Sequence, residues 1–232
     1  MEIKTINNRS RKVILFFADW GMDHQPFGHL QGDDYDIVIL YNYTTLESRL
    51  LEVIKNYRQI NIIALGAGVW AASATFGQIY HSLTTSGSFT SGSSPAGTSN
   101  RFRIIRLLKK IGRAIAIDGT LCPVSNIWGI PQEIFNIMAE GPGEMSRELR
   151  AFRDNYLFSN AILWNKAIIS KNNPIIPAEN QTRFWNEYNL GTDRSHRLTA
   201  GSEEFTIGYI ESTHFPFEEY GKWDSILNYG QV

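Results

Sequence analysis

Ile60-Asn61-Ile62-Ile63-Ala64-Leu65-Gly66-Ala67-Gly68-Val69-Trp70-Ala71-Ala72 is the stretch whose reading decides the fold. Residues 60–65 form a short apolar run of the kind made by a strand buried on both faces. The run stops at Gly66-Ala67-Gly68, and residues 69–80 read as a helix whose alanines at 71, 72 and 74 allow close packing on a sheet. Two earlier apolar runs, Val13-Ile14-Leu15-Phe16-Phe17 and Ile37-Val38-Ile39-Leu40-Tyr41, read as further buried strands. Leu46, Leu50, Leu51 and Ile54 follow at helical spacing. Strand, helix, strand, glycine turn and helix in this order imply an α/β sheet with right-handed crossovers.

Downstream, Ala114-Ile115-Ala116-Ile117 reads as a strand ending at Asp118-Gly119-Thr120. Residues 131–156 have a helical pattern interrupted at Gly141-Pro142-Gly143. Ala167-Ile168-Ile169 and residues 205–210 read as the last strands, and Glu211-Ser212-Thr213-His214 follows them. Residues 82–100 are almost wholly Ser, Gly and Thr and are read as a low-complexity insertion. The whole, 1–232, is read as one domain.

Composition narrows the function classes. A chain with 43% hydrophobic residues, six tryptophans and thirteen phenylalanines is not a disordered one. A formal net charge of -1 exerts no global pull on nucleic acid. The single cysteine, Cys122, excludes an intrachain disulfide and fits a reducing compartment. No stretch approaches the ~20 apolar residues of a membrane span, and residues 1–12 lack a secretory apolar segment. A cytoplasmic protein with no nucleic-acid or membrane partner is expected. The histidines show no metal-ligand spacing, so neither metal nor cofactor is expected.

A strand entering a helix through small residues is the layout of a nucleophile elbow. The centre of such a turn holds the attacking group, and here it is Gly66, which has no side chain. The same glycines match a loose dinucleotide fingerprint, giving a nucleotide-binding module as an alternative. That fingerprint wants an acid ~20 residues later, whereas no Asp or Glu lies between Gly66 and Asp118.

The chain resembles the BioG-type carboxylesterases, which demethylate the methyl ester of pimeloyl-carrier protein in biotin synthesis. The resemblance rests on six short segments in the family's order. They are Leu15-Phe16-Phe17-Ala18-Asp19-Trp20-Gly21-Met22-Asp23; Gly68-Val69-Trp70; Ala116-Ile117-Asp118-Gly119-Thr120; Gly129-Ile130-Pro131 with Ile134-Phe135; Ile176-Pro177 with Asn180-Gln181 and Phe184-Trp185; and His214-Phe215-Pro216-Phe217. It implies an α/β-hydrolase fold, a doubly wound, mostly parallel sheet with a small helical lid near 131–166. Gly66 then stands where the family carries serine, His214 is the general base, and the backbone N–H groups of Trp20 and Ala67 form the oxyanion hole.

The acid is assigned to Asp118, with Ser125 and Asn173 as alternative positions. Loss of a triad serine costs on the order of a million-fold in turnover. The expectation is therefore a homologue inactive in ester cleavage or repurposed for binding. An active esterase using an unrecognised nucleophile, or one whose serine has been replaced, is the alternative. Cys122 is read as a packed residue rather than a substitute nucleophile. The ligand expected is a small acyl ester or an acyl-carrier protein. Arg101, Arg103, Arg106, Lys109, Lys110 and Arg113 offer a basic docking face on an amphipathic helix over 101–110.

Overall fold

The computed structural model describes residues 1–46, 49–85, 106, 109–122, 129–155, 162–190 and 204–230. Seven strands among them form one sheet: β1 (Glu2–Ile6), β2 (Lys12–Phe17), β3 (Asp36–Tyr41), β4 (Gln59–Leu65), β5 (Ile111–Ile117), β6 (Lys166–Ser170) and β7 (Thr206–Ile210). Their order is β1-β3-β2-β4-β5-β6-β7. Only β1 runs antiparallel to its neighbour; every other pair is parallel. The expected α/β-hydrolase-like, doubly wound architecture is the one observed.

The period-2 geometry of a strand explains why the central runs are apolar throughout. Val13, Leu15 and Phe17 of β2 join one core, while Ile14 and Phe16 point into the other. The first core is closed by α1 (Leu50–Ile54), α2 (Gly68–Thr85) and α5 (Ala178–Leu190). The second is closed by Phe27, Phe215, Phe217 and the helix α6 (Trp223–Leu227). A strand open to water on one face would not tolerate such a run.

Four elements depart from the sequence reading. β1 pairs with β3 from Glu2↔Tyr41 to Ile6↔Ile37, although its residues are mostly exposed. An edge strand buries little, so its sequence carries almost no apolar signal. Residues 82–85, assigned to the low-complexity insertion, form the last turn of α2; the remainder of that segment, 86–100, lies outside the described residues. α5 and α6 were not read as helices.

The helical stretch over 131–156 divides as expected. α3 (Gln132–Glu140) and α4 (Glu144–Asn155) meet at Gly141-Pro142-Gly143, where proline has no N–H to continue the first helix. The two pack against each other, and Leu149 and Phe152 of α4 enter the first core.

Candidate active site

The parallel strands β2, β4, β5, β6 and β7 all end on one side of the sheet, where ligands bind in open α/β folds. Asp19, Gly66, Asp118, Asn173 and His214 come from the loops that follow these five strands in turn. Residues scattered over most of the chain are thus brought to one edge.

The turn after β4 is tight. Gly66 has φ of +55°, in the left-handed region, and its N–H donates to the Ile117 carbonyl at 2.8 Å. Gly68 opens α2 so close to β2 that a Cβ there would stand 2.3 Å from the Phe17 carbonyl oxygen. This is the strand-turn-helix geometry of an elbow. Its centre is not vacant, however. A Cβ on Gly66 would lie 2.1 Å from both Cγ and Oδ1 of Asp19, so the Asp19 carboxyl fills the space into which a side chain at 66 would project.

Asp19 Oδ1 accepts the N–H of Trp20 at 2.7 Å and the N–H of Ala67 at 2.7 Å. These are the two amides assigned to the oxyanion hole from sequence. They converge on one oxygen, and that oxygen belongs to the protein itself. Burial pushes the Asp19 carboxyl up to about 6, outweighing the two N–H bonds that pull it down. Asp118 and Glu148 add repulsion. Sequence reasoning quoted Asp19 within a motif but gave it no role.

Asp118 sits at a positive φ of 46° after β5. Its Oδ1 accepts the Ser170 N–H at 2.7 Å, and its Oδ2 accepts the Ser170 hydroxyl at 2.6 Å and the Phe215 N–H at 2.9 Å. Burial raises this carboxyl, and those bonds together with one from Asn173 lower it. Asp118 therefore ties the ends of β5, β6 and the loop after β7 together. Its bond toward residue 214 reaches the neighbouring amide of Phe215 rather than the imidazole.

His214 is exposed, with 66% of its side chain open to solvent. Its Nδ1 lies 3.2 Å from the Thr213 hydroxyl, and its Nε2 lies 3.6 Å from Oε1 of Glu218. Glu218 was not singled out by sequence reasoning. An i,i+4 carboxylate beside a histidine was the signal available, but it has no elbow-like motif to mark it. Asn173 Oδ1 is occupied in accepting the N–H groups of Ile175 and Ile176, each at 2.9 Å. Ser125 lies outside the described residues.

Asp19, Trp20, Asp118, Asn173 and His214 line one cavity of about 560 Å³. Its other walls are mainly apolar, including Phe27, Leu65, Ile176 and Phe217. α4 closes over the Asp19 loop from above: the Trp20 indole donates to the Met145 carbonyl at 2.9 Å. The buried Glu148 carboxylate accepts the N–H of Gly21 at 3.1 Å and of Tyr43 at 2.5 Å.

Other expectations fare differently. A phosphate on the Gly66 turn would need the Ala67 N–H, which already holds Asp19 beside a carboxylate that repels anions. Burial pushes the Cys122 thiol up, opposite to what a reactive thiolate requires. Within the basic cluster, Arg106 is helical. Arg101 and Arg103 lie outside the described residues, Lys109 and Lys110 form a turn, and Arg113 lies on β5. Lys110 Nζ donates to the Lys55 and Tyr57 carbonyls, and Arg113 donates to Asn228. These residues lead into the start of β5, at the opposite end of the sheet from Asp118. Among the described residues, no helix is long and apolar enough to cross a membrane, and no group of three or more His, Cys, Asp or Glu is placed to hold a metal.

The sheet order and the arrangement of loops are those of the α/β-hydrolase fold. The likeness to the BioG family is shown by a family model described as pimeloyl-ACP methyl esterase BioG, which matches residues 1–95. That span contains the Asp19 loop and the Gly66 turn but not His214. A malonyl-[acyl-carrier protein] O-methyltransferase of Bacteroides fragilis is 30% identical over 213 residues, covering 77% of this chain. The chain spans only 37% of that protein's length. An uncharacterized protein of Haemophilus influenzae is 22% identical over 99% of this chain and 100% of its own. In fold, the crystal structure of BioG from Haemophilus influenzae superposes with a TM-score of 0.67 at 20% identity, over 98% of this chain and 100% of that one. A monoacylglycerol lipase of Paleococcus ferrophilus gives 0.52 at 10% identity, over 98% and 97% of the two chains.

Proposed function

We propose that this chain is a BioG-like carboxylesterase relative that binds an acyl ester in the apolar cavity without cleaving it by serine chemistry. The observation that carries the reading is the bonding of Asp19 Oδ1 to both hole amides at 2.7 Å, over a glycine at the elbow. A serine triad needs a hydroxyl at the elbow and an empty hole for the carbonyl oxygen. Here the first is absent, and the second is filled by a carboxylate that repels a developing oxyanion. The apolar walls suit an acyl chain, and the ester end would meet the polar floor at Asp19 and Asp118. His214 keeps the position of a base at the mouth, with Glu218 as its nearest carboxylate.

The natural form of the ligand is proposed to be an ester on an acyl-carrier protein, after the family's substrate. Such a partner must approach from the side of the strand ends that carries the cavity. Strands of six or seven residues put roughly 20 Å between that side and Lys109, Lys110 and Arg113. Those three residues are therefore poor candidates for docking a carrier that delivers its acyl chain.

The test combines binding with activity. Tryptophan emission should change saturably on adding monomethyl pimelate, because Trp20 lines the cavity. A fluorophosphonate probe should leave the protein unlabelled, and p-nitrophenyl butyrate should be cleaved no faster than by buffer. A serine labelled by the probe would overturn the proposal.

A further inference from the structure

The carboxyl of Asp19 occupies the side-chain space of the elbow, has one oxygen held by two backbone amides, and borders an apolar cavity that also receives His214. Carboxylates are among the side chains that form covalent enzyme intermediates. The arrangement selects which carbon such a carboxylate attacks. Attack on an ester carbonyl would create an oxyanion on the substrate, and the two amides expected to receive it, those of Trp20 and Ala67, already hold Oδ1. Displacement at a saturated carbon creates no oxyanion there, so the occupied hole is no obstacle.

We infer that Asp19 is a nucleophile delivered from the loop after β2 rather than from the elbow, and that it takes an alkyl group from a saturated carbon bearing a leaving group. Oδ2, which shares in neither amide bond, forms the new C–O bond as the bond to the leaving group breaks. The leaving group departs with its electron pair, and Asp19 becomes an alkyl ester. A water molecule then gives a proton to His214 as its oxygen adds to Asp19 Cγ. The negative charge of that adduct falls on Oδ1, between the Trp20 and Ala67 amides, where the hole stabilises it. Collapse breaks the bond from Cγ to the alkyl-bearing oxygen. The alcohol leaves with that oxygen and the proton from His214, and the Asp19 carboxyl, now carrying one oxygen from water, releases its remaining proton to solvent to regenerate the carboxylate. The hole thus serves the second step instead of the first. Burial that keeps the carboxyl weakly solvated leaves it a stronger nucleophile once ionised, above about pH 6.

The inference rests on the cavity reading above only for seating the alkyl tail. The full chain is incubated at pH 8 with 1-bromohexane, and seating of the tail is followed by tryptophan emission. In His214→Ala, where the second step is slowed, intact mass should rise by one hexyl group, mapped to the peptide carrying Asp19. Asp19→Asn, which keeps an oxygen for both amides, should bind the tail and gain no such mass. Wild-type protein cycled in water labelled with heavy oxygen should carry the label in that same peptide, and the first hexanol released should be unlabelled. A change in emission with no adduct overturns the assignment of Asp19 alone. An adduct that persists in Asp19→Asn overturns it equally. Loss of both emission change and adduct overturns the cavity reading and this inference with it.

Discussion

Replacing Asp19 by Asn tests the electrostatics of the site without disturbing its shape. The amide is isosteric with the carboxyl, and its oxygen can still accept from Trp20 and Ala67. What changes is the charge. The native state raises the Asp19 carboxyl from 3.8 to about 6, so the folded protein holds this proton more tightly than the unfolded chain does. The stability this provides is fully present below about pH 4 and is lost as pH rises through about 6. A shift of about two units corresponds to roughly 3 kcal/mol of penalty for the ionised form at neutral pH. Asp19→Asn removes that penalty, and it should be more stable than wild type by about 2–3 kcal/mol at pH 8 and nearly equal to it at pH 4. Urea denaturation followed by tryptophan fluorescence, on both proteins from pH 4 to pH 8, measures the difference directly. Asp118 and Glu148 are also raised by burial, but they are common to both proteins and largely cancel. A stability difference that stays flat across this range, or that favours wild type at pH 8, would refute the placement of a desolvated carboxylate between the two amides.

Further outcomes are expected at the elbow, at Asp118 and at Glu148. Gly66→Ser alone should give no esterase activity, because its Cβ would lie 2.1 Å from the Asp19 carboxyl. Asp19→Gly with Gly66→Ser clears both the space and the hole, and should show p-nitrophenyl butyrate hydrolysis above buffer if His214 can act as base. Asp118→Ala should destabilise the fold by about 3 kcal/mol, since it strands the Ser170 and Phe215 amides; Asp118→Asn should cost less, and urea titration distinguishes them. Glu148→Gln can keep only one of the bonds to Gly21 and Tyr43, and should lose about 1–2 kcal/mol. A shift in Trp20 emission should accompany that loss, because its indole is bonded to the same helix.

Sheet strands and most of the helices crossing them were legible because burial on two faces leaves a dense apolar signature. Val13 to Phe17, Ile37 to Tyr41 and residues 60–65 could hardly be anything else at that length and spacing. The loop-borne residues His214 and Asp118 were legible only as matches to short motifs, and the structure brings both to the cavity without bonding one to the other. Edge strand β1 was not legible, since pairing uses backbone groups that every residue carries. Nor was the role of Asp19, which reads locally as a turn residue. Its partner amide at Ala67 is 48 positions away, and no periodicity links the two. The residue sequence by itself determined the layer architecture and the absence of a side chain at the elbow, because both follow from local chemistry. Only the tertiary structure decided what occupies the elbow instead. Parallel pairing of β2 with β4 carries the two loops to the same end of the sheet, and a carboxyl and an amide meet there by the geometry of the sheet alone.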